Sequence, residues 1–161
     1  MQQYQTDRDS VEAEIRDSIA IITLKRPEAM NAVSPEMARG LAEILSEIPK
    51  DGSVRVILLS GAGRAFCSGG DIRAMAAAID DDPRAFFREL TTNLHRVTRS
   101  LLTARVPTIA AVNGIAAGFG FGLALSCDLV IASERAEFSL MHGQVGQIPD
   151  GGGWYLLPRV V

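Results

Sequence analysis

Residues 54–72 read VRVILLSGAGRAFCSGGDI and contain, in order, a strand, a glycine-rich turn and the start of a helix. Residues 54–59 are almost all β-branched or aliphatic, which is typical of a strand buried on both faces. The loop of residues 61–70 carries four glycines, and Asp71 opens a helix that we predict to run through about residue 78. The same alternation is predicted again later in the chain, with a strand over residues 108–112, a helix over 118–125 and a strand over 129–132. Strands that alternate with helices predict an α/β chain.

The segment before residue 54 adds two strands and a helix. Strands are predicted over residues 11–16 and 19–24, which are rich in β-formers and separated by a polar turn. Ser34 is a predicted N-cap, and Pro35 suits the first position of the helix that follows it. A longer helix is predicted to open at Pro83 and run through about residue 104.

Length and composition restrict the class of protein. The chain has 161 residues, of which 47% are hydrophobic and 22% charged, and these values predict one globular domain over residues 1–161. We expect residues 1–10, which are mostly polar, to form a disordered tail. The net charge is −3 without a basic run, so nucleic acid is not an expected partner. Cys67 and Cys127 have no metal-ligand spacing, so we expect buried reduced thiols and no metal site.

Residues 106–127 contain no charged side chain and are long enough to cross a membrane. One proline and several glycines interrupt this stretch, which favours a buried strand, a tight turn and a buried helix. The N-terminus shows no apolar targeting segment. We therefore expect a cytoplasmic protein that does not associate with membranes.

Two glycine-rich segments join a predicted strand to a predicted helix, at residues 64–72 and 113–122. Glycine permits the backbone conformations that turn unpaired N–H groups toward one point. Two such donors could stabilise an oxyanion developing on a carbonyl. A phosphate site and simple tight turns are the alternatives that the spacing leaves open.

These segments and several others resemble the enoyl-CoA hydratase/isomerase (crotonase) superfamily. The matching strings are LKRP at 24–27, NA at 31–32, AFCSGGDI at 65–72, PTIAAVNG at 107–114, CDL at 127–129 and IPDGG at 148–152. The resemblance implies a crotonase-like spiral of ββα units, an acyl-CoA thioester as partner, and a homotrimer or dimer of trimers. It implies no cofactor, because coenzyme A is part of the substrate. Superfamily members continue past Val161, so we expect a truncated chain whose C-terminal helical region is missing.

The resemblance also assigns residues to the site. The thioester oxygen would lie between the N–H groups of Ser68 and Phe119. The acyl group would lie near Phe119 and His142. The loop that contacts coenzyme A would be Ser68, Gly69, Gly70, Asp71 and Ile72.

The acid–base positions decide the reaction within this superfamily. The two glutamates of hydratases fall on Gly122 and His142, so neither position holds a carboxylate. Asp150 remains, in a stretch that resembles the branch containing epoxyphenylacetyl-CoA isomerases, where an aspartate moves a proton along the acyl chain. We expect Phe119 and Trp154 to shield it from water. A helix N-cap is the structural alternative for Asp150.

Other functions stay open. In aryl-CoA dehalogenases of the superfamily, a histidine and a nucleophilic aspartate fall on His95 and Asp150, but the tryptophans of their halide site fall on Leu94 and His142. A packing role is the alternative for His95, and a structural hydrogen bond is the alternative for His142. A hydratase-like lyase and a non-catalytic truncated remnant or interaction subunit are further alternatives.

Overall fold

The computed structural model describes residues 2–4, 10–48 and 52–161. The strands are β1 (Gln2–Tyr4), β2 (Val11–Arg16), β3 (Ile19–Leu24), β4 (Val56–Gly61), β5 (Ala65–Cys67), β6 (Thr108–Val112), β7 (Ile115–Ala117), β8 (Leu129–Ala132) and β9 (Phe138–Ser139). The α-helices are α1 (Pro35–Glu47), α2 (Ile72–Ile79), α3 (Pro83–Leu102), α4 (Phe119–Leu125) and α5 (Gly153–Val160). Short 3₁₀ turns cover Pro27–Ala29 and His142–Val145. This alternation confirms the predicted α/β class.

The larger sheet has six strands in the order β1-β2-β3-β4-β6-β8. β1, β2 and β3 pair antiparallel, whereas β3, β4, β6 and β8 pair parallel. Its central strands bury aliphatic side chains such as Ile22 and Leu59, both fully inaccessible to solvent. β8 forms one edge, where the side chains of Leu129 and Ile131 are exposed. The sheet therefore has a dry centre and an apolar edge at β8.

Two helices pack against each other and complete the main core. α1 begins as predicted, because the Ser34 side chain accepts a hydrogen bond from the Met37 N–H at 3.3 Å and Pro35 occupies the first turn. α3 buries a stripe at helical spacing, consisting of Leu90, Leu94, Val97 and Leu101. The apolar stripe fixes which face of α3 points inward and which carries its polar side chains.

A smaller parallel sheet, in the order β5-β7-β9, lies beside the larger one and was not predicted. Its strands have only two or three residues. The glycine-rich loop that follows β5 leads into α2, and the one that follows β7 leads into α4. Because β5 and β7 are parallel neighbours, both loops leave the sheet at the same edge.

The tail and β4 differ from their predicted structures. Within the predicted tail of residues 1–10, Gln2–Tyr4 form β1 instead, because β2 offers an unpaired strand edge; residues 1 and 5–9 lie outside the described residues. β4 begins two residues later than predicted and extends to Gly61. No helix within residues 10–48 and 52–161 is long and apolar enough to cross a membrane.

Candidate active site

A cavity of about 710 Å³ opens between the two glycine-rich loops, α2, α3 and the 3₁₀ turn at His142–Val145. Seven of the nine residues assigned through the resemblance line it: Ser68, Gly69, Gly70, Ile72, Phe119, His142 and Asp150. The other two, Asp71 and His95, do not line this cavity. The fold thus brings together residues that are more than 80 positions apart in the chain.

The two glycine-rich loops approach each other closely at Gly69 and Gly118. Both residues have positive φ angles, +102° at Gly69 and +53° at Gly118. A Cβ atom on Gly69 would lie 3.0 Å from the carbonyl oxygen of Ala117, and one on Gly118 would lie 3.5 Å from the Gly69 Cα. Glycine at both places therefore lets the two backbones face each other across the cavity.

The backbone N–H groups of these loops are not equally available. The Ser68 N–H donates to the Met30 carbonyl at 3.0 Å, so it is committed to the fold and, contrary to the prediction, is not free for a ligand. The Val33–Gly70 bridge holds the same loop in place. The N–H groups of Gly70 and Phe119 have no acceptor among the described residues, and both residues line the cavity. Gly70, two residues after Ser68, is therefore the donor that can pair with Phe119.

Asp71 begins α2 as predicted, and its side chain has a structural role. Its carboxylate accepts hydrogen bonds from the Arg73 and Ala74 N–H groups and so caps α2. It also forms an ion pair with Arg26 at 2.8 Å. Burial alone would raise the pKa of the Asp71 carboxyl. The hydrogen bonds that it accepts, above all the bond from Arg26, outweigh the effect of burial, so the pKa of Asp71 is lowered. Because its bonds are used within the fold, Asp71 supports the loop and does not line the cavity.

His142 and Asp150 form a pair on the cavity wall. The His142 Nε2 atom lies 3.1 Å from the Asp150 Oδ1 atom and 3.4 Å from its backbone nitrogen. The His142 side chain is 7% exposed, whereas that of Asp150 is 48% exposed. Asp150 is not the N-cap of α5, because the helix starts at Gly153 and Gly152 is its N-cap. The carboxylate is therefore free of a capping role and reaches solvent and the cavity.

The Gly122 position, where hydratases carry a glutamate, has no room for a side chain. A Cβ atom there would lie 2.8 Å from the Gly151 carbonyl oxygen and 3.2 Å from its carbon. A Cβ atom on Gly151 would in turn lie 2.8 Å from the ring of Phe119. Trp154 is 66% exposed and does not line the cavity, so it does not shield Asp150 as predicted, whereas Phe119 is buried and lines the same cavity as Asp150.

A smaller cavity of about 400 Å³ lies on the other side of Asp150 and is lined by His95, Thr98 and Leu102 among others. Asp150 lines both cavities. His95 is exposed on α3, so the packing role that was its alternative is not what the structure shows. The structure thus places His95 on the same small cavity as Asp150.

The thiols and the acidic groups supply no further reactive centre in the part of the chain that the structure describes. Burial raises the pKa values of Cys67 and Cys127 to about 12, so both are protonated thiols at neutral pH. No group of three His, Cys, Asp or Glu side chains lies together as metal ligands would within those residues. Asp150 with His142 is the titratable pair that faces the larger cavity.

The chain is similar to known proteins over most of its length. The family model for enoyl-CoA hydratase/isomerase matches residues 14–161. The chain is 40% identical to a 1,2-epoxyphenylacetyl-CoA isomerase of Escherichia coli, covering 91% of this chain and 56% of that protein. It is 41% identical to a probable enoyl-CoA hydratase of Rhodobacter capsulatus, covering 94% and 57%.

The fold agrees as well. A solved enoyl-CoA hydratase from Polaromonas superposes with a TM-score of 0.87 at 35% identity, covering 94% of this chain and 58% of that one. The predicted crotonase fold is thereby confirmed. The chain spans a little over half the length of these relatives. The chain belongs to the enoyl-CoA hydratase/isomerase family.

Proposed function

We propose that this chain binds an acyl-CoA thioester and moves a carbon–carbon double bond along the acyl group through an enolate. The observation that carries the proposal is that one carboxylate, Asp150, lines the same cavity as two backbone N–H groups that have no acceptor among the described residues. Relatives described as an epoxyphenylacetyl-CoA isomerase and as probable hydratases support acyl-CoA chemistry.

The two backbone donors would hold the thioester oxygen. The N–H groups of Gly70 and Phe119 lie on the two facing loops and lack acceptors within the described residues. Fixed donors of this kind stabilise the negative charge that develops on a carbonyl oxygen as an enolate forms. They cost little reorganisation, because the loops are already held by the Val33–Gly70 bridge and by the close approach of Gly69 to Gly118.

Asp150 would carry the proton. The ionised carboxylate removes a proton from the carbon next to the carbonyl of a β,γ-unsaturated thioester, and the electron pair of the broken C–H bond passes into the enolate. The enolate then takes the proton back at the γ carbon, which leaves an α,β-unsaturated thioester and restores the carboxylate. One carboxylate is enough for both transfers, since the acid formed in the first step serves in the second.

Hydration is disfavoured by the surroundings of position 122. Adding water across a double bond needs a group that activates water and a group that returns a proton. Gly122 has no side chain and lies against the Gly151 backbone, so no carboxylate reaches the cavity from this position. His142 stands at the second hydratase position and is already bonded to Asp150.

The experiment is product analysis with and without the carboxylate. A β,γ-enoyl-CoA is incubated with the chain and with its Asp150→Asn variant, and isomer and 3-hydroxyacyl products are separated by chromatography. We expect isomer with little hydroxyacyl product, and a loss of about 10²–10⁴-fold in the variant. Acyl-CoA binding, measured by calorimetry, is the control and should be unchanged. A predominant hydroxyacyl product from the unmodified chain would contradict the proposal.

A hydrolytic function is the second candidate, favoured by the small cavity that His95 and Asp150 share. In that reaction the Asp150 carboxylate would attack an aryl carbon, a halide would leave, and water activated by His95 would cleave the resulting ester. Leu94 and His142 stand where the halide-binding tryptophans would be expected, which weighs against it. Halide release from a 4-haloaryl-CoA, lost in a His95→Ala variant, would support this candidate over the isomerase.

We also propose that the chain self-associates, as the resemblance implies for trimers and dimers of trimers. The exposed apolar side chains at the β8 edge, including Leu129 and Ile131, support a contact between copies. Sedimentation velocity tests this proposal, and a purely monomeric chain at micromolar concentration would contradict it.

A further inference from the structure

The two ring nitrogens of His142 lie in different surroundings. Nε2 is 3.1 Å from the Asp150 Oδ1 atom, and the Asp150 backbone N–H also points at Nε2, with its nitrogen 3.4 Å away. Nδ1 is buried and has no hydrogen-bond partner among the described residues. The ring as a whole is nearly inaccessible to solvent, with 6% of its residue surface exposed. These surroundings constrain where the ring can carry a proton.

A proton on Nδ1 would be unfavourable. It would be a buried donor without an acceptor, which the folded chain tolerates poorly. It would also leave a bare Nε2 facing an ionised carboxylate oxygen at hydrogen-bond distance, so that two acceptors would face each other. A proton on Nε2 removes both difficulties, because Nε2–H then donates to the carboxylate Oδ1 atom at 3.1 Å. The longer contact of the Asp150 backbone N–H with Nε2, at 3.4 Å, is given up for this shorter, charge-assisted bond.

We propose that His142 is a positioning residue whose Nε2–H holds the Oδ1 atom of Asp150 and leaves Oδ2 as the oxygen that accepts the substrate proton. This inference rests on the proposed function, in which Asp150 moves that proton. It assigns to His142 a role different from contact with the acyl group.

Asp150 needs such a support because the loop around it provides little. Its side chain is half exposed and it does not cap α5. Gly151 and Gly152, which follow it, both have positive φ angles, +55° and +84°. A half-exposed aspartate followed by two glycines would sample several rotamers in the absence of a partner. The bond from His142, a ring fixed by burial, selects one orientation toward the cavity.

The first test observes the proton directly in the unmodified chain. The sequence contains two histidines, so a sample labelled with ¹⁵N-histidine gives two ring patterns, and exposed His95 serves as the internal reference. We expect His142 to show the Nε2-protonated neutral tautomer, with an Nε2–H that exchanges slowly with solvent. Protonation of His142 at Nδ1 would overturn the proposal. This measurement needs no turnover and no substitution.

The second test compares two variants at position 142. His142→Gln keeps a side-chain N–H near the place of Nε2, whereas His142→Leu fills similar space without a donor. We expect the leucine variant to lower the isomerisation kcat by about 10²-fold, the size of loss that follows from a misplaced reacting group. The glutamine variant should recover most of this loss, and the affinity for acyl-CoA should stay the same in both.

The outcomes separate this inference from the proposed function. Loss of isomerisation in Asp150→Asn together with an unaffected His142→Leu variant would overturn the positioning role and leave the proposed function standing. Equal loss in the leucine and glutamine variants would overturn it too. An Asp150→Asn variant that isomerises at the full rate would instead contradict the proposed function, whichever ring nitrogen of His142 carries the proton.

Discussion

Replacing Gly122 with alanine adds one methyl group at the contact between α4 and the loop that carries Asp150. The new carbon would lie 2.8 Å from the Gly151 carbonyl oxygen, and the neighbouring atoms belong to backbone that cannot rotate away. Overpacking of this kind costs about 1–3 kcal/mol. Alanine gains about 1 kcal/mol over glycine inside a helix. Because the collision is with backbone, we expect the upper part of the range and a net loss of about 1–2 kcal/mol in the free energy of unfolding.

The substitution should also reduce turnover. If Gly151 moves to make room, Asp150 moves with it, and a displacement of about 1 Å can cost about 10²-fold in rate. Urea unfolding and isomerisation are measured for Gly122→Ala and for Gly52→Ala, a control where the new methyl would meet nothing within 4 Å. The control should change stability by less than about 0.5 kcal/mol. A Gly122→Ala chain that is more stable than the original and fully active would refute the reasoning.

Three further predictions concern the loop donor, its support and the thiols. Gly70→Pro removes one oxyanion donor and should lower kcat by about 10²–10³-fold, whereas Gly70→Ala, which keeps the N–H, should lose much less; equal kinetics for both would argue against the assignment. Asp71→Asn should lower the free energy of unfolding by about 1–3 kcal/mol at pH 7 in urea titrations. Because folding lowers the Asp71 pKa, this difference should be complete above the ordinary value of 3.8 and disappear as the pH falls through the folded pKa; a difference independent of pH would contradict the ion-pair explanation. Cys67 and Cys127, with pKa values of about 12, should react with a thiol reagent at pH 8 only as fast as the chain unfolds, and rapid labelling of the native chain would contradict their burial.

Most strands of the larger sheet could be predicted from local sequence, but β1 and the smaller sheet could not. The strands predicted over residues 11–16, 19–24, 108–112 and 129–132 have the same bounds as β2, β3, β6 and β8. Each has enough β-forming residues between turn residues to show a pattern. β5, β7 and β9 have two or three residues, fewer than a period-2 pattern needs, and glycine-rich loops follow two of them. Their pairing depends on contacts between distant segments.

The candidate site, like the fold, could be predicted only where it depends on residues close together in the sequence. Glycine-rich turns are local features, so the sequence located both loops, whereas Phe119 and Asp150 were assigned through the resemblance to the family. It misplaced the first donor, because the Ser68 N–H is used by the Met30 carbonyl, which comes from a segment nearly 40 residues earlier. The pairing of His142 with Asp150 likewise depends on the 3₁₀ turn between them, which no motif indicated.

Hydrogen–deuterium exchange at the acyl chain tests most directly whether Asp150 moves the proton. An enoyl-CoA is incubated with the chain in D₂O, and loss of proton signal at the α and γ carbons is followed by NMR. Our account predicts deuterium at both carbons with the unmodified chain, and exchange slower by about 10²–10⁴-fold with Asp150→Asn at unchanged acyl-CoA affinity. Exchange by Asp150→Asn at the rate of the unmodified chain would contradict the account, because the enolate would then form without this carboxylate.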